Sequence, residues 1–514
     1  MEYAVQLRHV TKTFGKVVAN HDVSMDIHKG EILAVLGENG SGKTTLMNMI
    51  AGIYYPDAGE ILVNASPVEI RSPKDAYDLG IGMIHQHFKL IDVFTAVENI
   101  ALGLEKKEKF DLKAIEARVK EICEKYHFEL DLQQKVYEMS VSQKQTLEIV
   151  KVLYRGADIL ILDEPTAVLT PQETERLFAV MRNMKADNKS VVIITHKLHE
   201  VLSISDRVAI LRKGEYIDEI ETAAATEASL TEMMVGHKVE LNIGRSEPVD
   251  PVRRLSVRNL TVYNLEDVKV LNDISFDAYG GEILGIAGIS GNGQKELLEA
   301  IAGLQPAAAG SSIEFFERGS ENVAMELVGK SPRKIRNAGV HLAFVPEDRL
   351  GMGLVGSMGM TGNMLLKTYG KGHSMFTDIK GPRTMAEKVK DELEVVTPSL
   401  STPVSRLSGG NVQKVLVGRE ISEAPTVLMT AYAVRGLDIN TSYTIYNLLD
   451  AEKRSGVAVI YVGEDLDVLI DLCDRILILC GGRVNGIVDA RHTTKEEVGL
   501  LMTNLREEGA SHEQ

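Results

Sequence analysis

The chain repeats itself once, and that repeat constrains its fold more tightly than any single motif. Residues 22–37 read DVSMDIHKGEILAVLG and residues 273–288 read DISFDAYGGEILGIAG, 251 positions apart. The correspondence recurs downstream. SPK at 72–74 answers SPR at 331–333, and SDRVAIL at 205–211 answers CDRILIL at 473–479, so small insertions accumulate without changing the order. Two copies of one domain are therefore expected over 1–240 and 253–505, with 241–252 as a short linker punctuated by Gly244, Pro248 and Pro251. Residues 506–514 form a polar tail expected to be disordered. Each copy, in a chain of 514 residues, is long enough to bury a core of its own.

Composition narrows the function classes. Lys plus Arg number 57 against 73 Asp plus Glu, a net charge of −16, so a protein holding nucleic acid by neutralising phosphates would work against its own field. No nucleic-acid partner is expected. Three cysteines, Cys123, Cys473 and Cys480, without metal-ligand spacing fit a reducing compartment. The first residues, MEYAVQLRHVTKTFGK, carry no apolar leader, and no apolar run approaches the ~18 to 20 residues of a membrane-spanning helix. Work at a membrane would need other chains to supply the span.

Within each copy the local pattern is α/β. ILAVL (32–36) and ILILD (159–163) are short apolar runs of the kind buried on both faces of a parallel sheet, and TTLMNMIAGI (44–53) has the pattern of a helix leaving a glycine-rich turn. Charged, helix-forming sequence at 111–127 predicts an inserted helical subdomain.

Two clusters carry chemistry. Gly37-Glu-Asn39-Gly40-Ser41-Gly42-Lys43-Thr44 fits GxxxxGK[ST] directly after a strand and opening a helix. Its backbone N–H groups, from Gly37 on to Thr45, are placed to curl round phosphate oxygens. Lys43 supplies a point charge to the terminal phosphates, and the Thr44 hydroxyl is a Mg²⁺ ligand candidate. Asp163 and Glu164 end the second buried strand, where Asp163 can join the metal shell and Glu164 can polarise an attacking water.

GENGSGKT, the HQ at 85–86, ILILDEPT at 159–166 and ITH at 194–196, in this order, resemble an ABC-type ATPase, and the resemblance covers both repeats. It implies two tandem P-loop ATPase domains, each with a core parallel sheet, an antiparallel β portion and the helical subdomain, using ATP and Mg²⁺. It further implies that Phe14 stacks on adenine, Gln86 senses Mg²⁺ and the attacking water, and His196 contacts the γ-phosphate.

The second copy breaks the same motifs. Gln294 and Lys295 stand where Lys43 and Thr44 stand, Glu347 replaces Gln86, Ala431 and Tyr432 replace Asp163 and Glu164, Glu464 replaces His196, and Phe14 maps to Leu265. It keeps Leu407-Ser408-Gly409-Gly410-Asn411, which resembles the family signature LSGGQ, where the first copy reads Met139-Ser140-Val141-Ser142-Gln143. It also has Gly436-Leu437-Asp438 against Val168-Leu169-Thr170. In the family each ATP is held by one copy's phosphate loop and the other's signature. The resemblance thus implies one site with every element intact, Lys43 through His196 with Ser408, Gly409, Gly410, Asn411 and Asp438, and one in which nearly every element is altered. Ala431-Tyr432-Ala433-Val434 departs from the usual residues, which leaves the end of the second core strand open to a different geometry.

Three classes of ABC protein compete. A DNA-maintenance ATPase lacks support because no long heptads separate the motifs. A ribosome-binding tandem protein would be expected to carry a long basic linker and two competent sites. The resemblance therefore favours the motor of a membrane importer over a soluble tandem translation factor, and it implies a subunit peripheral at the cytoplasmic face that works with transmembrane permease subunits, two in number, and an extracytoplasmic substrate-binding protein. A groove near Gln86 and the helical subdomain would receive short permease helices. LSGGNVQK and VPEDR resemble the simple sugar and nucleoside group, and HQHF at 85–88 is closer to its nucleoside branch; ribose or galactose transport is the alternative.

Overall fold

The computed structural model describes residues 2–503 except 16, 39, 86, 87, 103–110, 167, 168, 196, 237–242, 249, 250, 265, 290, 320–322, 338–341, 347, 348, 369–377, 423, 424, 436 and 464. It divides into two compact units, Met1–Glu240 and Leu241–Gln514. Each unit contains a four-stranded antiparallel sheet and a six-stranded sheet that is parallel but for one edge hairpin, in the same strand order.

In the first unit the six-stranded sheet runs Glu215–Glu221, Arg207–Arg212, Ile32–Leu36, Ser190–Ile194, Ile159–Asp163, Ile81–Ile84. The central strands are buried at every residue, as unbroken apolar runs require when helices cover both faces. Burying each Leu or Ile side chain there is worth about 1.5–3 kcal/mol, and those strands end at the residues that carry the chemistry. The predicted helix at 44–53 is shorter than expected, Lys43–Ile50, because Gly52 turns left-handed (φ 73) where a Cβ would lie 2.2 Å from the Ser72 carbonyl oxygen. The helical subdomain appears as Ala96–Ala101, Leu112–Tyr126 and Val141–Tyr154 packed around Val97, Ile100, Val119, Val136, Leu147 and Val150. Asp111 caps its long helix by accepting from Lys113 N (3.0 Å) and Ala114 N (3.4 Å).

The repeat has a physical reason. In the first unit Asp206 accepts from Ile32 N (2.9 Å) and from Lys185, while Arg207 pairs with Glu31 (3.1 Å). In the second, Asp474 accepts from Ile283 N (2.8 Å) and from Lys453 (2.8 Å), while Arg475 pairs with Glu282 (2.9 Å). The two Asp-Arg pairs of the repeat therefore pin the start of the strand that leads into each glycine-rich loop.

The span expected as a linker is bound to the second unit. Arg245 donates to the carbonyls of Ile470 (2.9 Å) and Cys473 (2.5 Å), and Ser246 donates through N (2.9 Å) and Oγ (2.8 Å) to Asp450. The side chain of Lys453, 1% exposed, holds the Ser246 carbonyl as well as Asp474.

Candidate functional site: the phosphate loop of the first unit

The strand Ile32–Leu36 delivers the chain into a loop whose tightness depends on glycine. Gly40 and Gly42 take φ 82 and 96, and a Cβ on Gly42 would lie 2.4 Å from the Ala19 carbonyl and 2.6 Å from Asn20 Nδ2. Lys43, 6% exposed, folds back to donate to the carbonyls of Gly37 (2.6 Å) and Glu38 (3.0 Å). Burial pulls its pKa down, against the attraction of Glu164, Asp163 and Glu38. The Ser41 hydroxyl is buried and has no hydrogen-bond partner among the described residues, a polar group held ready inside the loop.

Asp163, at the end of its strand and 8% exposed, is bonded by the Thr44 hydroxyl. Burial raises its pKa; the Thr44 bond and Lys43 oppose this, and Glu164 adds to it. Glu164 sits in the left-handed region (φ 47), its N–H donating to the Ile194 carbonyl of the neighbouring strand (2.8 Å). Such a conformation costs a non-glycine residue on the order of 1 kcal/mol or more. The structure thus gathers Gly37, Gly40, Ser41, Gly42, Lys43, Thr44, Asp163 and Glu164, with Thr45 half-buried in the first helical turn. Asn39, Gln86 and His196, singled out with them, lie outside the described residues, as do Val168, Leu265, Glu347, Gly436, Glu464 and the tail at 506–514.

Phe14 ends the first strand, Tyr3–Phe14, with 43% of its surface exposed and its ring edge-on to Tyr54 (centroids 5.1 Å apart). Lys12 on that strand pairs with Asn20 on the next, and Asn20 Nδ2 donates to the Gly42 carbonyl (3.3 Å). The hairpin bearing Phe14 is thereby tied to the phosphate loop. Sequence reasoning passed over Asn20, which is fully buried with Oδ1 unpartnered among the described residues. The signal was available in the repeat, where Leu271 stands in its place against Gly293.

The second unit builds the same loop from different chemistry. Gly291 and Gly293 repeat the left-handed turns (φ 91 and 98), and Gln294 Nε2 donates to the Ile289 carbonyl (3.1 Å), copying the fold-back of Lys43 without its charge. Asn292 spends its amide on its own chain, donating to Leu479 O (3.3 Å) and accepting from Gly481 N (3.3 Å). The strand Val427–Ala431 ends as its counterpart does, so the different geometry that its unusual residues left open does not occur. Tyr432 takes φ 49 and donates to the Val462 carbonyl (2.9 Å), because the same backbone bond to the adjacent strand imposes the turn whichever side chain follows.

The signature residues begin a helix of the second unit, Gly409–Ile421. Ser408 caps it, its Oγ accepting from Asn411 N (3.4 Å) and Nδ2 (2.8 Å). Asp438 caps the helix Ile439–Arg454 through Thr441 N and Oγ1 (both 2.8 Å), and its Oδ2 lies 3.3 Å from where a Cβ on Gly410 would stand. In the first unit Ser140 and Thr170 hold those capping places, each closed by a reciprocal bond from its own N–H to the side-chain oxygen of Gln143 or Glu173.

Comparison with known proteins decides what this arrangement belongs to. The ABC transporter family model matches residues 20–167 and again 271–430. The chain belongs to the ABC transporter family. It is an ATPase of that family, built from two tandem cassettes. It is 40% identical over 508 residues to the nucleoside import ATP-binding protein NupA of Lactococcus lactis subsp. cremoris, covering 98% of each chain. It is 38% identical to the guanosine import ATP-binding protein NupO of Bacillus subtilis, covering 99% of each. A glucose import ATP-binding protein of Haloferax volcanii is 37% identical, over 97% of this chain and 95% of that one. No helix among the described residues is long and apolar enough to cross a membrane.

Proposed function

We propose that this ABC ATPase drives nucleoside import and hydrolyses ATP only at the phosphate loop of its first cassette. The observation that carries the reading is the contrast between the two loops: the same glycine turns hold a buried Lys43 within the charge of Asp163 and Glu164 in one cassette and a neutral Gln294 in the other, where Ala431 and Tyr432 end the corresponding strand. In the first cassette a triphosphate takes the place of the loop carbonyls as the partner of Lys43, and backbone N–H groups with the Ser41 hydroxyl meet its oxygens. Mg²⁺ fits beside it, since the bonded Thr44 hydroxyl and Asp163 carboxylate are hard oxygen donors that would hold it, and it would supply charge to the phosphates. Glu164 accepts the proton of the attacking water. Completion of this site by Ser408, Gly409, Gly410, Asn411 and Asp438 belongs to the same proposal and rests on which residues each cassette keeps.

The cargo reading is supported by the relatives named for nucleoside and guanosine import, and the HQHF segment agrees with it. The glucose-import relative favours a simple sugar as the second reading. The subunit would work at the cytoplasmic face of the membrane with two permease subunits and an extracytoplasmic binding protein. The test is uptake of labelled purine nucleosides and of ribose in cells lacking the protein, restored with the native chain or with Glu164→Gln. Nucleoside uptake rescued only by the native chain is expected. Loss of ribose uptake alone would overturn the cargo, and no change in either would overturn the importer reading.

A further inference from the structure

We propose that Asp57 is a positioning residue for the nucleotide base: by fixing Lys12 and Thr13 it sets the ring of Phe14 at its distance from the phosphate loop. The inference rests on the reading that Phe14 stacks on the base. Asp57 Oδ2 accepts from Thr13 N (2.7 Å) and Thr13 Oγ1 (2.8 Å), and Oδ1 accepts from Lys12 Nζ (2.8 Å). Lys12 Nζ donates a second bond to the Tyr55 carbonyl (2.7 Å) and lies 5.6 Å from the centre of the Phe14 ring. Four bonds thus converge on the two residues that precede Phe14, while Tyr54 braces the ring from its edge. Across the hairpin Lys12 pairs with Asn20, whose amide holds Gly42. The strand tip is therefore fixed to the corner bearing Asp57 on one side and to the phosphate loop on the other, the two ends a nucleotide spans between its base and its phosphates.

The second cassette serves as an internal control for what the fold alone needs. Asp57 N donates to Thr11 O (2.8 Å), and the matching bond, Ala308 N to Thr261 O (2.8 Å), is kept there with an alanine. The corner therefore folds without a carboxylate. The carboxylate accompanies the cassette whose loop carries the lysine. The Lys12 and Thr13 bonds also hold Asp57 well below the usual carboxylate range, at about 2, so the clamp stays ionised at every working pH. Its side chain is 41% exposed, so these bonds do not serve to satisfy a buried charge.

The test is binding of ATP and of inorganic tripolyphosphate to the full chain by calorimetry, for Phe14→Ala, Asp57→Ala, Asp57→Asn and the double variant Phe14→Ala/Asp57→Ala. Tripolyphosphate reports the loop without a base. Base stacking on an aromatic ring leads us to expect Phe14→Ala to weaken ATP about tenfold and to leave tripolyphosphate unchanged. Asp57→Ala is expected to weaken ATP about threefold to tenfold with tripolyphosphate unchanged, Asp57→Asn less, and the double variant no more than Phe14→Ala alone. Additive losses in the double variant, equal loss of tripolyphosphate, or full ATP affinity in both Asp57 variants would overturn the role of Asp57 while leaving Phe14 in place. Unchanged ATP affinity in Phe14→Ala would overturn the stacking reading itself.

Discussion

At the scale of single residues the first cassette holds several groups in states that only a ligand or a neighbour makes favourable. Lys43 and Asp163 are both drawn toward their neutral forms by burial and held by one another's charge. Asn20→Leu, which installs the residue that the second cassette tolerates at that place, is expected to leave folding intact and to raise the KM for ATP severalfold with a smaller change in kcat. Steady-state ATPase kinetics with a melting curve check it. His85 gives a pH signature. Burial and Lys89 lower its pKa from 6.5, against the pull of Glu148, so the unfolded chain binds a proton that the folded one resists. Stability from this group is complete above pH 6.5 and is lost as the pH falls from 6.5 toward the lowered folded value. The melting temperature of the native chain is expected to fall more steeply between pH 7.5 and 5.5 than that of His85→Gln; parallel slopes would show that His85 contributes nothing.

Among elements, much of the fold was legible because the features that build it are local. The strands at 32–36 and 159–163 are apolar runs with charged or glycine ends, and the glycine loop between strand and helix is written in consecutive residues. The repeated Asp-Arg pairs were legible as a pattern without their reason, since Asp206 reaches Ile32 and Asp474 reaches Ile283 only once the chain has returned across the sheet. The early stop at Ile50 was hidden because it depends on how closely Ser72 approaches Gly52. Asp57 was equally hidden, because its partners Lys12 and Thr13 lie more than forty residues away. The two lysines of the repeated network differ in burial, and so should their energetics. The Lys453–Asp474 pair is 1% and 5% exposed, against 40% and 35% for Lys185–Asp206. Lys453→Ala is expected to destabilise the second cassette by about 3 kcal/mol, because the buried Asp474 carboxylate then keeps only the Ile283 N–H and the more distant Arg491 guanidinium (3.6 Å), and Lys185→Ala by about 0–1 kcal/mol in the first. Urea denaturation followed by a probe in each cassette distinguishes them, and equal effects would contradict the buried-pair argument.

For the whole molecule, duplication kept the architecture and let the chemistry diverge. Sheet order, glycine turns and even the left-handed residue after the core strand are the same in both cassettes, while Lys43, Thr44, Asp163 and Glu164 became Gln294, Lys295, Ala431 and Tyr432. The divergence was legible residue by residue once the repeat was aligned. What alignment did not show is that Gln294 and Asn292 take up the loop's bonds from within the second cassette. The signature segments diverged in the opposite sense, so Ser408→Arg is expected to abolish ATP turnover in the assembled transporter and Ser140→Arg to leave most of it. Comparable losses from the two would contradict that assignment. The most direct test of the central claim is ATP turnover by the full chain assembled with its membrane partners, comparing Lys43→Gln, which gives the first loop the residue of the second, with Gln294→Ala. Turnover reduced about a hundredfold or more in Lys43→Gln and kept within about twofold of native in Gln294→Ala is expected; substantial turnover in Lys43→Gln, or its loss in Gln294→Ala, would contradict a single hydrolytic loop.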